Sequence, residues 1–410
     1  MKQFSTRALN VPFPKADPYR ALQMPIYESV AFEFETSEDI AANFRGEFPA
    51  HAYSRTGNPT VEYFEHKIKT LTHSHQVLAF ASGMAAITNA ILCLCKAGDN
   101  IISGRNMFGH TVTLLSETLP SLGINTRYAN LDNPEEIESM IDSNTRLIYF
   151  ETVTNPQLEI PNIELLASIS KKHNIVLMAD STLTPPVIFN SKNLGVDVEV
   201  MSTTKFISGG ATAVGGIVID NGTFNWELNP NLAPYTSKLN KDTFHTRLKK
   251  GIFRQFGGCM AAHAAYFQIL GLDILELRLN RCVDNCLILG EFMEKSKKIS
   301  QVHYPALKSS KYFSNAQKYF EGKPGAIMTF DLETEAACFK FMNHLKIIRR
   351  ATNLNDNKSL IIHPYSTIYV EFTPEQRYEM GIRPTMMRLS VGIEGVSDLI
   401  EDIEQALLHS

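Results

Sequence analysis

Lys205 stands in the run Met201-Ser-Thr-Thr-Lys-Phe-Ile-Ser-Gly-Gly210, directly after an apolar stretch from Val196 to Met201. An ammonium group where a buried strand ends is costly unless it is paired, deprotonated or chemically used. Burial favours the neutral amine, the form that captures aldehydes as Schiff bases. The hydroxyls of Ser202 and Thr204, three and one residues earlier, suit a phosphate. Lys205 therefore reads as the anchor of a covalently held aldehyde cofactor.

Further residues fit the same chemistry. Asp180 closes the continuously apolar run Ile175-Val-Leu-Met-Ala179. An acid there needs a cation or donors, and a protonated pyridine nitrogen is such a cation, kept electron-poor by the pairing. Ser82-Gly83-Met84 opens a helix whose free N–H groups and dipole suit a phosphate. Arg388, at the start of an apolar strand, presents a fork that grips a carboxylate bidentately. Each also has a plainer reading when taken singly. Asp180 suits a helix N-cap, Lys205 a strand–loop cap, Ser82-Gly83 an ordinary helix start and Arg388 an interdomain ion pair. The pairs His73/His75 and Cys93/Cys95 do not meet metal-ligand spacing, so no metal is expected.

The elements that must position these residues alternate. Residues 1–57 are poorly periodic, rich in Pro, Phe and Tyr, and read as an arm lying on a neighbouring subunit. Residues 58–271 alternate strands and helices and form the cofactor domain. Its expected strands are Val77–Ala81, Asn100–Ser103, Asn125–Ala129, Leu147–Glu151, Ile175–Ala179, Val196–Met201 and Gly216–Ile219. Helices are expected over Met84–Cys95, Pro134–Ile141 and Ile163–His173. The runs Leu147–Phe150 and Ile175–Ala179 are apolar throughout, which suits strands covered on both faces of a parallel sheet. Sites in such sheets form beyond the C-terminal strand ends, so Glu151, Asp180 and Lys205 belong to one pocket. Residues 223–255 look loop-rich. Residues 272–410 form a smaller α/β domain, opening on a helix over Ile274–Lys295 and carrying strands at Gly325–Leu332, Ser359–His363 and Arg388–Val391.

The bulk properties exclude several classes. The chain has 410 residues, 44% apolar and 20% charged, with a net charge of -4, which suits a soluble multi-domain protein and not a nucleic-acid binder. No apolar run reaches the ~20 residues of a membrane span, and the start, Met1-Lys-Gln-Phe-Ser, lacks a signal-peptide core. The dispersed cysteines, six in all, read as free thiols of a reducing cytoplasm.

In this order the motifs resemble one family. Tyr53-Ser-Arg55 with Asn58-Pro-Thr60, Ser82-Gly-Met-Ala-Ala86, Phe108-Gly-His-Thr111, Glu151-Thr-Val-Thr-Asn-Pro156, Ala179-Asp180, Ser202-Thr-Thr-Lys205 and Arg388-Leu-Ser-Val-Gly-Ile-Glu394 span nearly the whole chain. They are similar to those of the pyridoxal-phosphate enzymes of Cys/Met metabolism: cystathionine γ-synthase, the γ-lyases and the homoserine-ester sulfhydrylases. The resemblance implies an aspartate-aminotransferase-like fold of type I. It implies that Lys205 holds pyridoxal 5'-phosphate and shuttles protons, and that Asp180 pairs with the ring nitrogen. Gly83, Met84, Ser202 and Thr204 would hold the phosphate, joined by Tyr53 and Arg55 of a neighbouring subunit. Asn155 would lie near the ring hydroxyl. Arg388, with Ser359 close by, would bind the substrate carboxylate. A homotetramer built from active dimers follows from the same likeness.

Three departures refine the resemblance. Phe108 stands at the ring-stacking position where tyrosine is usual, and Ser181 where asparagine is common. Lys205 is followed by Phe-Ile-Ser-Gly-Gly and not by the Gly-His-Ser-Asp type. The segments 206–226 and 355–364 look most like the O-acetylhomoserine sulfhydrylase branch. The expected reaction is γ-replacement on O-acetyl-L-homoserine by sulfide or methanethiol. The alternatives are a methionine or cystathionine γ-lyase, a cystathionine γ-synthase, or a pyridoxal-phosphate-binding homologue without turnover.

Overall fold

The computed structural model describes residues 3–410. Its centre is a seven-stranded sheet formed by β1 (Gln76–Phe80), β2 (Asn100–Ser103), β3 (Asn125–Tyr128), β4 (Thr145–Glu151), β5 (Val176–Asp180), β6 (Val198–Met201) and β7 (Gly216–Asp220). The spatial order is β1-β7-β6-β5-β4-β2-β3. Only β7 runs against the others, pairing antiparallel with both β1 and β6. The mostly parallel α/β architecture expected from the apolar runs is present. Each strand start and end lies within a few residues of its expected position.

Strand parity decides where the polar ends of these strands point. In β4, Leu147 and Tyr149 pack with the helix Gly83–Leu94 on one face of the sheet, while Ile148 and Phe150 pack with the helix Ile163–His173 on the other. In β5, Val176 and Met178 face the first layer, and Leu177 and Ala179 the second. Alternation carries Glu151 and Asp180 onto the face of the Gly83–Leu94 helix. The register sets those two residues directly opposite one another.

The helices start where the sequence chemistry asks them to. Ser82 caps Gly83–Leu94 through its side chain on Ala85 N, and Asn58 caps Pro59–Thr72 with proline in the first turn. A second sheet follows, made of β8 (Gln301–His303), β9 (Ile327–Asp331), β10 (Arg349–Arg350), β11 (Leu360–Ile362) and β12 (Met386–Ser390), in the order β10-β11-β12-β9-β8. The helix Leu275–Met293 and the helix Val396–Leu407 pack on it, burying Leu279, Cys286, Leu289, Leu399 and Ile403 with Met328, Phe330, Met387 and Leu389. The position near 271 falls inside the helix Ala262–Asp273.

Two regions differ from the sequence expectation. Residues 223–255 are not loop-rich: short helices at Ala233–Leu239 and Thr243–Arg247 run on into a wide helical turn at Leu248–Phe253. Trp226 is buried there and stacks on Phe244 at 4.9 Å. The apolar anchors Trp226, Leu232, Phe244 and Phe253 are too widely spaced to give a periodic signal. The arm is also split. Phe4, Ala8, Val11 and Met24 join the core of this chain, whereas the helix Ser37–Arg45 buries none of its residues. Tyr19, Leu22, Val30 and Phe44 project into solvent. Among the described residues no helix is long and apolar enough to cross a membrane.

Candidate active site

The C-terminal ends of β4, β5 and β6 open onto a cavity of about 470 Å³. Its walls include Ser82, Gly83 and Met84 from the start of the first sheet-covering helix, and Ser202, Thr204 and Lys205 just past β6. Glu151, Asn155 and Asp180 follow β4 and β5, Phe108 covers one side, and Arg388 of β12 closes the cavity from the second sheet. Residues expected on separate grounds therefore meet at one place.

Lys205 lies largely buried, and its Nζ donates to Asn353 Oδ1 at 2.8 Å. Burial, aided by the charge of Arg388, pushes its amine down to about 8. Asn353 in turn donates from Nδ2 to Asp356 at 3.1 Å, so its oxygen is turned toward the lysine.

Asp180 is buried and, among the described residues, meets no cation. Its Oδ1 accepts the Thr182 N–H at 2.9 Å and its Oδ2 the Tyr149 hydroxyl at 3.3 Å. Burial raises its pKa, while these donors oppose the rise. A carboxylate so placed gains most from a cation entering the cavity. The Tyr149 phenol is held well above its ordinary range by burial and then by the charge of Asp180, so it serves as a donor.

Arg388 is the opposite case. It is 2% exposed, and burial pushes its guanidinium down to about 10. Nη1 donates to Asn155 Oδ1 at 3.1 Å, and Nη2 to the carbonyls of Thr352 and Asn353 at 3.0 and 3.2 Å. No carboxylate pairs with it among the described residues, and its Nε has no hydrogen-bond partner. A buried cation aimed into a cavity without its anion is built for an anionic ligand.

The phosphate end is set by close contact. A Cβ added at Gly83 would fall 2.6 Å from Ser202 Cβ, and one at Gly216 2.2 Å from the Ser82 carbonyl oxygen. Only glycine lets the helix start, the end of β6 and the start of β7 meet. The N–H groups of Gly83 and Met84 lack intrahelical acceptors, and both residues line the cavity beside Ser202. Thr204 also pins the following loop: its hydroxyl donates to Gly215 O at 3.2 Å and accepts the Gly215 N–H at 3.0 Å. The set therefore fits pyridoxal phosphate: an amine for the aldehyde, the Asp180 carboxylate, without a cation of its own, for the ring nitrogen, and a cradle for the phosphate.

Some expected residues lie elsewhere. The Ser359 hydroxyl does not reach the cavity. It donates to Glu394 at 2.9 Å and accepts the Gly392 N–H at 2.9 Å, fixing the chain beside β12. Thr352 and Leu354 occupy the cavity wall near Arg388 instead. Tyr53 and Arg55 lie outside the cavity of their own chain. Tyr53 is 44% exposed, and Arg55 donates to the Arg254 carbonyl at 2.6 Å. The sequence reading missed Tyr149, Thr352 and Asn353. Tyr149 was hidden as one aromatic residue in an apolar strand, and the other two lie in a segment without periodicity.

Comparisons with known proteins show the family and the fold. Residues 5–408 match the family described as Cys/Met metabolism PLP-dependent enzyme. O-acetyl-L-homoserine sulfhydrylase of Corynebacterium glutamicum is 32% identical, covering 98% of this chain and 96% of the relative. The solved O-acetylhomoserine sulfhydrylase of the methionine biosynthetic pathway of Wolinella succinogenes is 39% identical, with a TM-score of 0.81, covering 99% of this chain and 100% of that one. A protein of Campylobacter jejuni assigned as an O-acetylhomoserine (thiol)-lyase superposes with a TM-score of 0.94 at 32% identity, covering 99% of this chain and 100% of that one. That structure carries N'-pyridoxyl-lysine-5'-monophosphate. The fold is that of the PLP-dependent enzymes of type I.

Proposed function

The chain belongs to the Cys/Met metabolism PLP-dependent enzyme family, and from that premise we propose that it catalyses γ-replacement on O-acetyl-L-homoserine. Sulfide or methanethiol enters, acetate leaves, and homocysteine or methionine forms. The names of its relatives from Corynebacterium glutamicum and Wolinella succinogenes support this choice of reaction. The observation that carries it is the convergence of Lys205, Asp180 and Arg388 on one cavity, each without an ion-pair partner among the described residues.

When bound, pyridoxal phosphate supplies an aldehyde for an amine and an electron-poor ring that stabilises negative charge at the substrate's α-carbon. The protein's own groups do the rest. Lys205 would hold the cofactor through its amine, and the same amine would move protons at the substrate's α- and β-carbons. An amine pushed down to about 8 is suited to both giving and taking protons near neutrality. Asp180 balances the charge of the ring nitrogen, with Tyr149 and Thr182 holding its orientation. Gly83, Met84, Ser202 and Thr204 receive the phosphate. Phe108 would stack on the ring, and it brings no phenol to proton transfer.

Arg388 would take the substrate α-carboxylate through its uncompensated charge and the guanidinium N–H groups not given to Asn155, Thr352 and Asn353. Asn155 steadies the other side of the guanidinium and would lie near the ring hydroxyl. The exposed apolar arm supports docking of a second copy, whose Tyr53 and Arg55 would complete the phosphate site. A homotetramer built from such dimers, working in the cytoplasm, is the assembly we assign. The test is product analysis with O-acetylhomoserine and sulfide, where homocysteine and acetate should appear in equal amounts.

A further inference from the structure

Glu151 is buried, lines the cavity, and meets no cation among the described residues. Its two oxygens divide between two separate segments. Oε1 accepts the Phe108 N–H at 2.8 Å, and Oε2 accepts the Asn155 N–H at 3.2 Å. Phe108 is the residue that covers the cavity, and Asn155 is the one that steadies Arg388 at 3.1 Å. One carboxylate thus ties the wall that faces the cofactor ring to the hydrogen bond that aims the carboxylate-binding arginine. From outside, the buried Tyr369 hydroxyl sits 2.9 Å from both the Met107 and the Asn155 carbonyls, bridging the same two segments.

A neutral amide would not do the same work. Glutamine accepts with one oxygen only, and its NH₂ group would face a backbone N–H. The acid is retained although it stands opposite Asp180 in the sheet register. Burial, and then the charge of Asp180, raise its own pKa, while the Phe108 and Asn155 N–H groups oppose the rise by favouring the carboxylate. Mere stapling of a surface loop does not ask for an acid in that position.

We infer that Glu151 is a positioning residue of this active site, which sets the Phe108 wall and the Asn155–Arg388 contact together. This rests on the reading that the cavity takes the cofactor and an α-amino acid substrate. The test is Glu151→Gln in the full chain. The dissociation constant for pyridoxal phosphate rises at least tenfold, and the visible circular dichroism of the bound cofactor, which reports how the ring is held, falls by half or more. KM for the homoserine ester rises at least tenfold, more than kcat falls. Values within twofold of the parent in all three measurements overturn the inference. Should Glu151→Gln fail to fold, Tyr369→Phe is read in the same way. It removes one hydroxyl from the same bridge, shifts the same measurements in the same direction, and overturns the inference if they stay at parent values. The two cofactor measurements need no substrate, so they separate a failure of this inference from a wrong choice of reaction.

Discussion

Lys205 donates to Asn353 at 2.8 Å across the junction of the two sheets' layers, and the hydrogen bond joins the amine to a segment next to Arg388. The amine is pushed down to about 8 by burial first and by Arg388 second. At pH 8 about half of it is neutral, against roughly three in a thousand for an ordinary lysine. The rate at which cofactor-free protein captures pyridoxal phosphate should therefore climb steeply up to about pH 8 and level off above it. Stopped-flow absorbance across pH 6–10 checks this; a rate still climbing toward pH 10 would mean an unperturbed amine.

Lys205→Ala removes both the covalent anchor and the proton carrier. Turnover should fall by at least ~10³-fold, since a positioned acid–base group alone contributes about 10²–10⁴-fold. The yellow colour of the holoenzyme should be lost on gel filtration. Compared with cofactor-free parent protein, thermal denaturation should shift little, because burial of an amine without an ion-pair partner is itself costly; the holoenzyme keeps the added stability of its bound cofactor.

Arg388→Lys keeps the charge and loses the fork. Charge-assisted hydrogen bonds contribute about 1.5–3 kcal/mol each, so KM for the amino-acid substrate should rise roughly tenfold to a hundredfold. Bound cofactor should keep its absorbance. Steady-state kinetics with a spectrum of the same sample separates substrate binding from cofactor binding.

Gly83→Ala introduces a Cβ only 2.6 Å from Ser202 Cβ. The contact is with a strand end and not with a flexible tip, so the helix start must retreat from the phosphate position. Affinity for pyridoxal phosphate should fall at least tenfold, while affinity for unphosphorylated pyridoxal changes less. Equilibrium titration with both compounds checks the difference.

Arg55 and Lys205 should act on the same site from different chains. Arg55→Ala and Lys205→Ala homo-oligomers are each expected to be nearly inactive. When the two are unfolded together and refolded as a mixture, some oligomers carry one intact site. Recovery of a substantial fraction of parent activity supports the shared site, and no recovery speaks for sites made within one chain.

The sequence carried the site unevenly, for physical reasons. Asp180 and Lys205 were readable because a charge at the end of a buried apolar run is expensive and therefore conspicuous. The sheet was readable because β4 and β5 are apolar on both faces. Asn353 and Thr352 lie in an irregular stretch where neither period nor turn chemistry marks a function. Ser359 was expected beside the substrate, yet its hydroxyl and its N–H both meet Glu394, a pairing across 35 residues that no local pattern reveals. The helices of 223–255 were missed because their stability comes from Trp226 and Phe244 packing under the sheet, not from local periodicity.

The most direct test of the proposed reaction is product analysis of the purified holoenzyme given O-acetylhomoserine with sulfide, and separately methionine alone. Homocysteine and acetate are expected from the first and little 2-oxobutanoate from the second. Abundant 2-oxobutanoate from methionine, with no homocysteine from the ester, would contradict the proposed reaction and make the enzyme a γ-lyase.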